Sequence, residues 1–237
     1  MRADLALVAR GLFPSRAKAA EAIAAGLVQA DGRAIAKSSE FIEGSARIEA
    51  QAPYPWVSRG GVKLAAALDA FGVDPAGRTC LDVGASTGGF TDVLLSRRAL
   101  QIVAVDVGHK QLHPRLAADA RVVEMEGVDA RKLAASDLPS APSLIVTDAS
   151  FISLTLILPP VLALAATPAE LVALVKPQFE GAKNRKGIVR DNAERVAALD
   201  RVIACVMAEG WTVRATMLSP IAGGDGNQEW LLHATRP

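Results

Sequence analysis

Residues 81–90 read LDVGASTGGF, and this stretch decides the fold. An apolar strand-like run leads into three glycines, Gly84, Gly88 and Gly89, and a helix-like segment follows them. Glycines at a strand–helix junction let the backbone approach a ligand where side chains would collide. About twenty residues further on, Asp106 ends the next apolar run, where its carboxylate can accept hydrogen bonds from ribose hydroxyls. The pattern predicts a site for a nucleotide-like cofactor.

Two details of this corner favour S-adenosylmethionine over a dinucleotide. Asp82 lies inside the strand, where it can hold the ammonium group of a methionine moiety. The glycine spacing also departs from the G-x-G-x-x-G pattern that holds a pyrophosphate. An NAD-dependent oxidoreductase and a tight turn without a ligand are the alternatives, and Asp129 is interpreted equally well as an adenine contact or as a helix cap. The expected cofactor-binding residues are Asp82, Gly84, Ala85, Ser86, Gly88, Gly89, Phe90, Asp106, Val107, Asp129 and Asp148.

Strand-like and helix-like runs alternate on both sides of the corner. The expected strands cover residues 79–83, 101–107, 121–125, 143–148 and 171–176. The expected helices cover residues 62–71, 89–98, 110–116, 151–165 and 192–209. This alternation predicts an α/β, Rossmann-like parallel sheet covered by helices. The last two strands, 212–218 and 228–234, have no helix between them and must pair antiparallel, which is typical of an S-adenosylmethionine-dependent methyltransferase sheet.

Residues 1–50 carry a different and smaller pattern. Two short helices, a strand, the tight turn Asp31-Gly32 and a closing strand predict a compact α+β domain. The core face of the first helix is expected to consist of Leu5, Leu7, Val8 and Leu12. Residues 51–57 contain two prolines and are interpreted as a stiff linker, which leaves residues 58–237 for the larger domain.

Composition bounds the class of protein. The 237 residues are 51% hydrophobic and 22% charged, as in a globular protein, and the net charge of +1 requires any basic surface to be local. Two distant cysteines and a start without a signal peptide indicate a cytoplasmic protein with reduced thiols. The longest apolar stretch, 152–175, is broken by prolines and a glutamate, which favours a helix and a core strand over a membrane span. The histidines lie in no ligand-like spacing, so we expect no metal.

Four charged residues stand at the ends of predicted strands or in glycine-rich segments: Lys63, Asp148, Lys176 and Glu229. Parallel strands end at one edge of a sheet, so these residues are expected to meet beside the cofactor. Taken alone, Asp148 and Lys176 are interpreted equally well as surface charges, and Glu229 equally well as a hairpin residue. Together with the cofactor corner they indicate methyl transfer to a ribose hydroxyl.

A ribose 2′-hydroxyl is weakly acidic, so its attack on a sulfonium methyl group benefits from a base. We expect Lys176 to act as that base or to orient the hydroxyl. Asp148 and Glu229 would fix the lysines, and Lys63 would steer the substrate. A second lysine and burial favour the neutral amine that a base needs, whereas the carboxylates favour the ammonium form. Positioning alone can supply much of the acceleration, because the methyl donor is already activated.

Long motifs in the same order resemble the TlyA family of ribosomal RNA 2′-O-methyltransferases, which are also labelled haemolysins and have an FtsJ-like catalytic domain. The motifs are SRGGVKL (58–64), LDVGASTGGFTD (81–92), TDASFIS (147–153), KPQFE (176–180) and GNQE (226–229). The resemblance implies S-adenosylmethionine as the donor. It implies a catalytic tetrad of Lys63, Asp148, Lys176 and Glu229, and cytidine 2′-hydroxyls of ribosomal RNA, within ribosomal subunits, as the acceptors.

The first fifty residues resemble the S-four-type RNA-binding module, through the motifs at 2–4, 15–19, 26–28 and 31–32. This resemblance, with the basic loop at 183–187, implies a local RNA-binding surface. The expected RNA-binding residues are Arg2, Arg10, Arg16, Lys18, Arg33, Lys37, Arg59, Lys183, Arg185 and Lys186. A non-catalytic ribosome-assembly factor and a membrane-lytic haemolysin are the rival functions.

Overall fold

A computed structural model describes residues 1–181 and 187–237 of the chain. The chain divides into two compact units, Met1–Pro55 and Trp56–Pro237, and each has its own hydrophobic core. We describe the two units separately.

The N-terminal unit packs two short helices on a small antiparallel sheet. Its elements are α1 (Ala3–Ala9), α2 (Arg16–Ala24), β1 (Val28–Ala30), β2 (Arg33–Ala34) and β3 (Ile48–Ala50). Helix α2 begins where the hydroxyl of Ser15 accepts a hydrogen bond from the amide of Lys18. The strands lie in the order β2-β1-β3, and the turn between β1 and β2 places Asp31 and Gly32 at φ 49° and 76°. Two successive positive φ angles are what a tight hairpin requires.

The expected core face of the first helix was right for Leu7 and Val8, which pack in the core, and wrong for Leu5 and Leu12. Leu5 and Leu12 are 40% and 42% exposed, whereas Ala3, Ala6 and Leu7 are buried. The helix ends at Ala9, so Leu12 lies beyond it. Small alanines on the inner face bring α1 close to its neighbours, and α2 likewise buries Ala19 and Ala22. A search for large apolar side chains therefore misses the alanines of the inner face and adds Leu5, which is exposed.

The larger unit is a seven-stranded sheet with helices on both faces. Its strands are β4 (Thr79–Val83), β5 (Gln101–Asp106), β6 (Val122–Glu126), β7 (Leu144–Thr147), β8 (Ala169–Val175), β9 (Thr212–Leu218) and β10 (Trp230–Arg236). Its α-helices are α3 (Gly60–Phe71), α4 (Gly89–Ser96), α5 (Pro114–Ala117), α6 (Leu154–Ala163), α7 (Pro177–Glu180) and α8 (Asn192–Ala208). Two short 3₁₀ turns cover Ala130–Lys132 and Ala135–Asp137.

The strand order is β6-β5-β4-β7-β8-β10-β9. Strands β4 to β8 are parallel, and β10 runs antiparallel between β8 and β9. This arrangement confirms the predicted α/β methyltransferase sheet with its terminal antiparallel pair. The order reverses between β4 and β7, and in such sheets ligands bind at the carboxyl ends of the strands beside the reversal.

Two predicted helices begin later than the sequence pattern indicates. The helix expected over 110–116 is only Pro114–Ala117, because Lys110 has a φ of 55° and cannot enter a right-handed helix. The helix expected from residue 151 begins at Leu154, since Phe151 has a φ of 66° and Ser153 caps the helix. Both errors lengthen a helix at the expense of a loop beside the carboxyl ends of the strands.

Candidate active site

The corner after β4 is shaped by a glycine that no other residue can replace. Gly84 has a φ of 81°, and a Cβ atom built on it would lie 2.9 Å from the backbone of Ala149. Because both the conformation and the space exclude a side chain, the turn after β4 packs directly on the segment after β7. The glycine therefore brings the two central strand ends together at the switch point of the sheet.

Asp106, at the end of β5, binds the same corner through both carboxylate oxygens. Its Oδ2 accepts a hydrogen bond of 2.8 Å from the amide of Ser86, and its Oδ1 accepts one of 2.7 Å from the amide of Gly108. The carboxylate thus fixes the loops after β4 and β5 relative to each other. It also lines a cleft at this edge of the sheet.

That cleft has a volume of about 520 Å³, within the usual range of small-molecule sites. The predicted cofactor residues in its lining are Gly84, Ser86, Asp106, Val107, Asp129 and Asp148. A smaller neighbouring cleft of about 140 Å³ is lined by the predicted residues Gly84, Ala85, Ser86, Gly89, Phe90 and Asp148, together with Ser58 and Gly60. Gly84, Ser86 and Asp148 line both clefts, so the two are parts of one continuous site.

Gly88 and Asp82 line neither cleft. Gly88 begins α4 at a φ of 94° and faces Leu112 and Leu116, so it serves the packing of the helix start. Asp82 is fully buried, and its Oδ2 accepts a hydrogen bond of 2.7 Å from the hydroxyl of Thr91. Burial raises the pKa of Asp82 to about 7, and the nearby carboxylates of Asp148 and Asp106 add to the shift.

Asp129 combines the two interpretations that the sequence left open. Its side chain caps the 3₁₀ turn at Ala130–Lys132 by accepting from the amide of Arg131. The guanidinium of Arg131 binds the same carboxylate and lowers the pKa of Asp129 to about 2. The residue nevertheless lines the large cleft, so capping and ligand contact are compatible here.

Lys63 and Glu229 form a buried ion pair. Lys63 Nζ lies 2.5 Å from Glu229 Oε2, and the two side chains are 7% and 2% exposed. Lys63 comes from the first turn of α3, and Glu229 immediately precedes β10. Burial raises the pKa of Glu229, against the opposite effects of Lys63 and Lys176. Glu229 therefore holds Lys63 inside the protein. The expected role of Lys63 in steering the substrate would need an exposed side chain, and this side chain is buried.

Lys176 and Asp148 form a second pair at the ends of β8 and β7. Lys176 Nζ lies 2.6 Å from Asp148 Oδ1 and donates hydrogen bonds to the Asp148 carbonyl at 3.0 Å and to Ser150 Oγ at 2.6 Å. The lysine side chain is 9% exposed and the aspartate side chain 23% exposed. Both partners are thus fixed, and the aspartate opens onto the cleft.

The two pairs are neighbours. A Cβ built on Gly60, at the start of the helix that carries Lys63, would lie 3.3 Å from Asp148 Oδ2. The charges of Lys176 and Asp148 also act on the pKa of Glu229, the lysine lowering it and the aspartate raising it. The structure therefore brings together all four charged residues that the sequence singled out.

Two residues of the site had no predicted role. Ser150 accepts a hydrogen bond from Lys176, and the buried carboxylate of Glu180 accepts hydrogen bonds from the Ser153 hydroxyl at 2.5 Å and the Leu154 amide at 2.9 Å. Glu180 thereby ties the segment after Lys176 to the loop that carries Asp148. Both residues lie in motifs that carried the family resemblance, TDASFIS and KPQFE, which was the available signal.

The predicted RNA-binding residues are mostly engaged in local contacts. Arg2 and Arg16 bind Asp4, Arg10 binds the carbonyls of residues 43, 44 and 46, Lys18 binds Tyr54 and Glu21, and Arg33 binds Glu40. Arg59, in the larger unit, donates to the carbonyl of Ala222 at 2.9 Å. Lys37 is exposed. Lys183, Arg185 and Lys186 lie outside the described residues.

Within residues 1–181 and 187–237, no three histidine, cysteine or carboxylate side chains are grouped as a metal site would need. No helix in the same part of the chain is both long enough and apolar enough to cross a bilayer. The apolar stretch 152–175 is instead α6 followed by β8, as expected.

Comparisons with known proteins agree with this geometry. The FtsJ-like methyltransferase family matches residues 56–236. The Mycobacterium tuberculosis protein named 16S/23S rRNA (cytidine-2'-O)-methyltransferase TlyA is 42% identical over 236 residues, covering 98% of this chain and 88% of that protein. A solved hemolysin-named protein from Streptococcus thermophilus superposes with a TM-score of 0.78 at 38% identity, covering 100% and 88% of the two chains. An S-adenosylmethionine-dependent methyltransferase from Mesorhizobium loti shares the fold. It is 15% identical and superposes with a TM-score of 0.54, covering 72% of this chain and 96% of its own.

Proposed function

We propose that this chain, which belongs to the FtsJ-like methyltransferase family, transfers a methyl group from S-adenosylmethionine to a ribose 2′-hydroxyl of ribosomal RNA. Its 42% identity to the TlyA-named relative supports the proposal. Cytidine is the proposed nucleoside, ribosomal subunits are the proposed context, and the cytoplasm is the proposed location.

One observation carries the proposal: Asp148 belongs both to the cofactor cleft and to the charged cluster. It lines the large and the small cleft, and its carboxylate lies 2.6 Å from Lys176 Nζ. A donor bound in the cleft and an acceptor held by the cluster would therefore meet at this residue. An oxidoreductase would give no role to the buried pair of Lys63 and Glu229.

The residues of the cleft fit S-adenosylmethionine. The turn after β4 lines the cleft through Gly84 and Ser86, and Asp106 stands at the end of β5, where carboxylates accept from ribose hydroxyls. We assign Gly84, Ser86 and Asp106 to hold the cofactor. When bound, the cofactor supplies a methyl group that its sulfonium has already activated for transfer.

The chain's own contribution is to orient the acceptor and to handle its proton. Lys176 Nζ is fixed by Asp148 and Ser150, so it needs little reorganisation to contact a ribose hydroxyl at this edge. We assign Lys176 to orient that hydroxyl and, in its neutral amine form, to accept the proton that the hydroxyl loses as its oxygen takes the methyl group. We assign the buried pair of Lys63 and Glu229 to form the fixed, charged wall of the cluster beside Lys176.

The N-terminal unit is proposed to bind the RNA. Two observations support this proposal: the unit folds as two helices on a small antiparallel sheet, and Arg10 and Arg16 are held in defined positions by carbonyls and a carboxylate. Affinity from such a surface depends on phosphate contacts and should fall with salt. A ribosome-assembly factor without catalysis would bind RNA in the same way, and a membrane-lytic protein would act on vesicles instead.

The test is methyl transfer from labelled S-adenosylmethionine to unmodified ribosomal subunits, followed by mass analysis of the nucleosides. We expect 2′-O-methylcytidine in one subunit or both, and we expect Lys176→Ala to lower the rate by about 100-fold or more. Lys132→Ala removes an exposed lysine from the larger unit and should leave the rate unchanged.

Cofactor binding by the variant separates the outcomes. Retained binding with lost transfer would assign Lys176 to the reaction. If native protein bound the cofactor and labelled neither subunit, the ribosomal substrate would be wrong. Leakage of loaded vesicles with no RNA labelling would favour the membrane-lytic alternative.

A further inference from the structure

Phe41 is the most exposed large apolar side chain of the N-terminal unit, at 76% of its surface. Its neighbour Ile42 is 3% exposed, so the chain buries one side chain and turns the other to solvent. Phe13, the other phenylalanine of this unit, is 7% exposed and belongs to the core. Exposing a whole aromatic ring gains nothing for folding, so the position of Phe41 needs another explanation.

Backbone pairing places Phe41 beside Arg2. The amide of Ala3 donates to the carbonyl of Glu40 at 2.7 Å, and the amide of Ile42 donates to the carbonyl of Met1 at 2.8 Å. These two bonds flank an antiparallel bridge between Arg2 and Phe41, which makes them a non-hydrogen-bonded pair. In such pairs the Cα atoms are about 4.5 Å apart and both side chains leave the same face.

A buried aspartate holds Arg2 next to a second arginine. Arg2 Nε and Nη2 each lie 3.1 Å from an oxygen of Asp4, and Arg16 Nη2 lies 2.8 Å from Asp4 Oδ2. The aspartate side chain is 5% exposed, whereas the arginines are 43% and 57% exposed. Two guanidinium groups on one carboxylate leave a net positive charge. Nη1 of each arginine has no hydrogen-bond partner among residues 1–181 and 187–237.

We propose that Phe41, Arg2 and Arg16 form a binding site for one unpaired RNA nucleotide. The base stacks on the Phe41 ring, and the two arginines donate to its phosphate. Aromatic rings bind bases only where the base is unstacked, as in loops and bulges, because a duplex hides the base faces. The proposal deepens the proposed function and rests on it, since it requires RNA as the partner.

The test compares two RNA probes with the full chain. One probe is an RNA hairpin with a single-stranded loop, and the other is its stem as a blunt duplex. Stacking contributes about 1–3 kcal/mol per base, so Phe41→Ala should raise the Kd for the hairpin on the order of 10-fold. The Kd for the duplex should change less than about twofold, because phosphate contacts remain.

Matched variants make the result specific. Phe41→Trp keeps an aromatic surface and should bind the hairpin at least as well as the native chain. Leu100→Ala removes an apolar side chain that is 64% exposed but lies in the larger unit, and it should bind both probes like the native chain. An abasic nucleotide in the loop should weaken hairpin binding by the native chain. Phe41→Ala should then raise the Kd for this abasic hairpin little further.

Equal effects of Phe41→Ala on hairpin and duplex, or no effect on either, would overturn the proposal. A native dimer that becomes monomeric in Phe41→Ala would assign the ring to self-association instead. Native protein that methylates ribosomal RNA while Phe41→Ala binds the hairpin normally would reject this site alone. Native protein that binds neither probe and labels no subunit would reject the proposed function with it.

Discussion

Asp82 shows how a single residue changes its interpretation between sequence and structure. Its place before the glycines predicts a contact with the cofactor's ammonium group, which stays a prediction, and the structure adds that the carboxylate is fully buried, lines neither cleft and binds Thr91 at 2.7 Å. A strand alternates its side chains between two faces, and the pattern of a fully buried strand does not tell which face meets the ligand. Asp82 Oδ1 is buried without a hydrogen-bond partner in the described chain.

We expect Asp82 to make stability depend on pH. Burial raises its pKa to about 7, so between the ordinary carboxyl pKa of 3.8 and about 7 the folded chain binds more protons than the unfolded chain. The free energy of unfolding that depends on Asp82 therefore falls as the pH rises through this window, by about 4 kcal/mol at most. Asp82→Asn cannot ionise and can still bind the Thr91 hydroxyl.

Chemical denaturation from about pH 5 to about pH 8 measures this effect. The asparagine variant should gain stability over the native chain as the pH rises, with the largest difference at the upper end. Parallel curves for the two proteins would mean that Asp82 ionises normally in the fold.

The four charged residues were predictable as a set and not as pairs. Strand ends and glycine-rich segments indicate one meeting place, and in the structure Lys63 pairs with Glu229 beside the pair of Lys176 and Asp148. This choice of partners depends on distances between four separate elements, and a local sequence pattern does not contain those distances. Their catalytic roles stay a prediction.

At the scale of elements, the loop between β9 and β10 is built around Glu229. Gly223 in this loop would place a Cβ only 2.6 Å from Glu229 Oε1. Its backbone is in an ordinary conformation, so alanine would be strained by this contact alone. Glu229 cannot withdraw easily, because its other oxygen is bound to Lys63.

Gly223→Ala should therefore displace Glu229 and disturb the buried pair. Small displacements in an active site can cost up to about 100-fold in rate, and we expect a loss on the order of 10-fold or more in methyl transfer. Gly224→Ala is the matched control, since nothing lies within 4 Å of its Cβ position. Equal rates in the two variants would show that the position of Glu229 does not matter to the reaction.

Most strands and helices followed from apolar periodicity, whereas loops at the cleft did not. Lys110 and Phe151 adopt positive φ angles that residues other than glycine rarely take, and no glycine stands at either position to signal this. The loop at Lys110 is instead held by Glu126, whose carboxylate accepts from the amides of Gln111 and Leu112. Such contacts come from another strand and are invisible in a local window.

At the scale of the whole molecule, the cores of the two units are separate. One cluster of buried residues lies entirely before Pro55, and the other two lie in residues 56–237. A domain with its own core can fold alone. We expect a fragment of residues 56–237 to keep a single cooperative thermal transition by circular dichroism, and to transfer methyl groups to ribosomal subunits far more slowly than the full chain. A fragment that fails to unfold cooperatively would show that the larger unit needs the first 55 residues.

The last strand of the sheet has a consequence for the order in which this protein matures. Strand β10 enters between β8 and β9, and Glu229 beside it is 166 residues away from its partner Lys63. Ribosomes release a chain from its N-terminus, so the segments that line the cofactor cleft leave the ribosome well before Glu229 does. The nascent chain can therefore fold a donor pocket while its charged cluster is still incomplete. The chain would then become able to transfer methyl groups only late in its own synthesis. Until that point it could not modify the ribosomal RNA that surrounds it during translation.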